Sequence, residues 1–124
     1  MQDSENGIIF ATKFLNMAKF KFKGTTTEDV EEELERLCKI DAKEIPLNHI
    51  VKVVGVIGVE QIVGQNTGSS IRFYHPDADS YGHYFTVHKV HKGKGEDLVT
   101  KINFKQYLMP TLRKIIAIRK AKGI

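Results

Sequence analysis

Cysteine occurs once in the 124 residues, at Cys38, so no internal disulfide can form and no thiolate cluster can hold zinc. The simplest place for that side chain is the buried face of a helix. Long apolar runs are also missing. Stretches such as Ile50 to Val59 are broken by Lys52 and glycines and fall well short of the ~20 residues that cross a bilayer. The opening Met1-Gln2-Asp3-Ser4-Glu5-Asn6-Gly7 carries acids where a secretory signal carries positive charge, and the apolar stretch after it is interrupted by Lys13. The expectation is an intracellular, cytoplasmic protein with no membrane partner. Internal repeats are absent, and a chain that is 41% hydrophobic at this length holds one modest core rather than two ordinary domains.

What the chain does have is charge, unevenly spread around a net +4. Glu28 to Glu44 holds eight acids against the three bases Arg36, Lys39 and Lys43. From Thr86 onward ten bases, among them Lys89, Lys92, Lys94, Arg113, Lys114, Arg119 and Lys120, face only Glu96 and Asp97. The C-terminal third is thus suited to phosphate, although a solvated basic face gives the same count.

Phe20 and Phe22 alternate with Lys19, Lys21 and Lys23, which predicts a short half-buried strand within residues 8–23. Thr25-Thr26-Thr27-Glu28 offers capping hydroxyls and an early acid, and Val30, Leu34, Leu37 and Cys38 follow helical spacing. An amphipathic helix is expected over about 28–39, with its acidic face in solvent. Asp41 to Pro46 reads as a joint. Ile50, Val53, Val54 and Ile57 predict a second helix, which Gly58 can close in the left-handed conformation. Strands are expected at about Val59 to Gln65, Ser69 to His75 and His83 to Val90, and a last helix near Pro110 carrying Leu112, Ile115, Ile116 and Ile118. The fold class is α+β: a small antiparallel three-stranded sheet with helices packed on one face, in the order α-β-β-β-α, plus an N-terminal strand and helix extension. The domain boundaries drawn are residues 1–45 for that extension and 46–124 for the globular part.

Three stretches sharpen the functional reading. Gly68-Ser69-Ser70-Ile71-Arg72-Phe73-Tyr74-His75-Pro76, Phe85-Thr86-Val87-His88-Lys89-Val90-His91 and Pro110-Thr111-Leu112-Arg113-Lys114-Ile115-Ile116 resemble, in order and spacing, three landmarks of the HicA-like (YcfA-type) toxins. The resemblance covers about Pro46 to Ile124. It implies a fold of the double-stranded-RNA-binding type, RNA as the partner, metal-independent cleavage of messenger RNA in active members, no cofactor, and a HicB-type antitoxin over the active site. In that family the glycine-serine pair leads into the catalytic histidine, whereas this chain has Ser70 and Ile71.

Metal-free RNA cleavage needs a base for the 2′-hydroxyl proton and an acid for the leaving 5′-oxygen, a task that histidine suits near neutral pH. Serine lacks the proton affinity, and Ile71 shares the alternation phase of Phe73, as core filling would. His88 and His91 are the candidates for a relocated catalytic role. Arg72, Lys89, Lys92, Lys94, Arg113 and Lys114 are the candidate RNA-binding residues. His75, His83, His88 and His91 follow no metal-ligand spacing, so no metal site is expected, and Gly93-Lys94-Gly95 lacks the setting of a phosphate loop. Three readings stay open: an RNA binder impaired as an endoribonuclease, an active ribonuclease using His88 or His91, and a protein-interaction module. In the last, the acidic helix docks a basic partner or folds back on the chain's own basic C-terminal helix. Oligomeric state is open as well.

Overall fold

The computed structural model describes residues 19–63, 69–91 and 97–124. Helix α1 (Thr27–Lys39) spans the expected stretch and starts one residue earlier than about 28. Thr26 is the N-cap: its Oγ1 accepts from the Asp29 amide at 3.0 Å, while the Asp29 carboxylate accepts from the Thr25 and Thr26 amides at 3.0 and 3.2 Å. Those bonds, Thr25's first, hold the Asp29 carboxyl below its ordinary value. Val30, Leu34, Leu37 and Cys38 form the buried stripe. Burial also pushes the Cys38 thiol up, with Glu35 adding to the effect, which leaves it unreactive.

Strand β1 (Glu44–Pro46) leads directly into α2 (Leu47–Gly55), so the stretch expected as a joint is partly a strand. Gly58 ends the α2 region with φ +86. The Gly58 amide donates to the Gly55 carbonyl and the Val59 amide to the Val54 carbonyl, at 3.0 and 3.1 Å, the paired bonds of a left-handed helix stop. A Cβ on Gly58 would meet the His75 ring only at 3.5 Å, so the dihedral and not space decides the cost. Gly58→Ala is expected to cost about 1–2 kcal/mol, read as a lower urea midpoint at unchanged slope. An unchanged midpoint would contradict this account of the stop.

Strands β2 (Glu60–Ile62), β3 (Ser70–Tyr74) and β4 (Tyr84–His88) form an antiparallel sheet in that order. β1, β6 (Asp97–Thr100) and β5 (Val90–His91) form a second antiparallel sheet, in the order β1-β6-β5. Alternation left the second sheet invisible. Its strands are two to four residues long, one ends in proline, and Glu44 finds its partner Thr100 far along the chain. In the first sheet Ile71, Phe73, Phe85 and Val87 are buried on one face. Ile50 and Val54 of α2 and Leu108 and Leu112 from the C-terminal helix close over Phe73 and Phe85. The fold is therefore mixed α+β with small antiparallel sheets.

The C-terminal helical stretch starts at Lys101 rather than near Pro110. Thr100 caps α3 (Lys101–Asn103) by accepting from the Asn103 amide at 3.1 Å; a π turn (Phe104–Leu108) follows, then α4 (Met109–Ala121). Pro110 has no N–H to give the preceding turn. The π turn, in which the Met109 amide bonds to the Phe104 carbonyl, shifts the hydrogen-bond register just before it. A helix thus runs through a proline that sequence reading takes as a start.

Two further expectations concern the N-terminal part. Phe22 is buried and Phe20 packs against the core, but residues 20–24 pair with no strand among the described residues, and the rest of the expected 8–23 strand lies outside them. The boundary at 45/46 does not divide the core, since Val30, Leu34, Leu37, Ile45, Ile50, Phe73 and Ile115 belong to one buried cluster. No helix among the described residues is long and apolar enough to cross a membrane.

Candidate nucleic-acid interface

The face of the β2-β3-β4 sheet opposite the helices carries a specific set of side chains. Register pairs Ser70 with His88, Arg72 with Thr86, and Tyr74 with Tyr84, and because strand side chains alternate, all six share the outer face. The Arg72 guanidinium lies 5.1 Å from the centre of the Tyr84 ring, and Tyr74 is tilted against Tyr84 at 5.7 Å. A cation over a partly exposed aromatic pair can receive a nucleic-acid base by stacking and a phosphate by charge. β2 adds Glu60 and Ile62 opposite Tyr74 and Arg72, so the acid sits at the Tyr74 end, away from His88.

Ile71, one of the two positions where the resemblance leads one to look for a histidine, is 2% exposed and fills the core. Ser70 is on the outer face directly across from His88, and the Ser69 hydroxyl lies 3.3 Å from His88 Nδ1. His91 is described only by its backbone pairing with Asp97. The other histidines of this region are structural. His75 Nδ1 accepts from the Asp77 amide at 3.0 Å, so its Nε2 carries the proton and donates to the Ile57 carbonyl at 2.9 Å. His83 Nδ1 donates to the Ala78 carbonyl at 2.9 Å. Among the described residues no group of three His, Cys, Asp or Glu side chains converges as metal ligands.

The basic residues of the C-terminal third are largely spoken for. Arg113 is held by both carboxylate oxygens of Glu35, at 3.1 and 3.2 Å; Lys120 pairs with Glu31, Lys114 with Asp79 at 3.4 Å, and Lys89 with Asp97 at 3.0 Å. The acidic face of α1 thus lies along α4 and compensates its charge. Lys92 and Lys94 lie outside the described residues. Of the four candidate RNA-binding residues that are described, Arg72 alone shares the outer face of the β2-β3-β4 sheet. Tyr74, Tyr84 and Thr86 were missed as partners, although their i, i+2 spacing around Arg72 and Phe85 was a readable signal. No family model, curated protein or solved structure matches the chain.

Proposed function

We propose that the chain is an RNA-binding domain of the HicA-like type, silent as a metal-independent messenger-RNA endoribonuclease, with the open face of the β2-β3-β4 sheet as its RNA surface. The observation that carries this reading is the contiguous Arg72, Tyr84, Tyr74 cluster on the outer face of the sheet, which no helix covers among the described residues. Helix α2, the antiparallel strands β2, β3 and β4, and the C-terminal helix, both helices lying over Phe73 and Phe85, support a fold of the double-stranded-RNA-binding type, to which β1, β5 and β6 add a second small sheet. Silence follows from proton chemistry: Ser70 cannot act as a base near neutral pH, and Ile71 is buried.

Binding to a labelled single strand and a duplex across a salt series tests the proposal. Arg72→Ala with Tyr84→Ala is expected to weaken single-strand affinity by about 10- to 100-fold and to reduce the salt slope by about one. Wild-type affinity in the double variant would exclude this face. A second reading, an active ribonuclease with a HicB-type antitoxin partner, draws on the Ser70 to His88 register, which puts an imidazole beside the position left by the family's histidine. RNA cleavage that His88→Ala abolishes without loss of affinity would establish it in place of the silent one.

A further inference from the structure

A cluster of lysines lies away from the C-terminal helix, around an open groove of about 700 Å³ where α2 begins. Lys19, Lys21, Lys43 and Lys52 reach it from three separate segments. Lys19 Nζ donates to the Asp41 carbonyl at 3.0 Å, while Lys21, Lys43 and Lys52 are exposed and have no acid partner among the described residues. The one acid on the wall, Glu44, is itself engaged. Cations of like sign converge at a cost in repulsion, and an anion between them relieves it.

Two more features of the same groove specify the anion. Pro46 is the N-cap of α2 and supplies no side-chain acceptor, and Asn48 and His49 of the first turn line the groove, so the positive end of the helix adds to the lysines. The opposite requirement, a flat apolar wall, is met by Phe20 and Leu98, with the Phe20 ring edge-on to the buried His49 imidazole at 5.5 Å. His49 is held in place from behind by Glu33 at 2.6 Å. A lone phosphate would use the lysines and leave the rings bare.

We infer that this groove binds a phosphate monoester carried on a flat ring system, the chemistry of a 5′-nucleotide, either free or at the end of an RNA strand. The site is separate from the open sheet face and does not depend on that reading. The phosphate sits among Lys43, Lys52 and the first turn of α2, and the base lies against Phe20.

Titration of the full chain with adenosine 5′-monophosphate, followed through backbone amide shifts, tests the inference. Shifts are expected to cluster at residues 42–52, with inorganic phosphate and adenosine each binding at least about tenfold more weakly. Lys43→Ala with Lys52→Ala, both exposed, should keep the thermal transition and lose at least about tenfold in affinity, whereas Arg72→Ala with Tyr84→Ala should leave it unchanged. Binding of a 5′-phosphorylated but not a 5′-hydroxyl trinucleotide would identify a strand end as ligand, and binding of the mononucleotide alone a free nucleotide. No shifts at 42–52 at millimolar nucleotide, equal affinity for inorganic phosphate, or an unaffected lysine variant would each overturn the inference.

Discussion

Deletion of residues 1–45 is expected to leave a chain with no cooperative unfolding transition rather than a released globular domain. The segment carries Val30, Leu34, Leu37 and Ile45, each with no exposed surface and all in the same cluster as Ile50, Phe73 and Ile115. Burying such side chains stabilises by about 1.5–3 kcal/mol each, so the four contribute roughly 6–12 kcal/mol. A domain of this size is stable by only about 5–15 kcal/mol in total. The deletion also strips β6 of its partner β1 and uncovers the side of α4 that α1 packs against. Circular dichroism and a urea titration of residues 46–124 check this. A sigmoidal transition with native helix content would mean that α1 is a true extension.

Glu33→Ala is expected to be the most destabilising single change on α1, at about 3–5 kcal/mol, or a melting temperature lower by more than roughly 10 °C. The Glu33 side chain is 8% exposed, and its carboxylate accepts from Arg36 Nε and Nη2, each at 2.8 Å, and from His49 Nε2 at 2.6 Å. Burial opposes ionisation, but the Arg36 and His49 hydrogen bonds and charges outweigh it and hold the carboxyl below its ordinary 4.5. Alanine leaves the buried His49 donor without an acceptor, and that orphan is the main cost. Replacing both partners, Glu33→Leu with His49→Leu, should therefore recover much of the loss, since Arg36 is half in solvent. If the double variant were as unstable as the single one, the cost would lie elsewhere.

The same pair sets a pH dependence. A depressed folded-state pKa means that the unfolded chain takes up the proton first as pH falls, so Glu33's contribution is complete above its ordinary value and is lost as pH drops through the depressed one. Wild type should therefore lose stability below pH 4.5 more steeply than Glu33→Gln.

Local pattern carried a good deal of the fold. The helical stripe of Val30, Leu34 and Leu37, the left-handed stop at Gly58, and the inward alternation of Ile71, Phe73, Phe85 and Val87 all depend on residues a few positions apart. The second sheet escaped because its pairing joins residues 44–46 to 98–100 through strands too short to alternate. The C-terminal helix was cut at Pro110 because the π turn that admits the proline lies in hydrogen bonding and leaves no compositional trace. The Glu33 and His49 pair was equally hidden: each reads as a surface residue until two helices cross.

By itself, then, the amino-acid sequence determined the elements whose causes are local: the buried stripe of α1 with Cys38 in it, which face of β3 and β4 is apolar, and that Ile71 is core. Tertiary structure alone decided which charges remain available to a ligand. Counting bases pointed to the C-terminal helix, but a count is blind to distance, and α1 lies close enough for Glu31 and Glu35 to take up Lys120 and Arg113. The field of a charge depends on what stands within a few ångströms of it, and only the packing of one helix on another sets that.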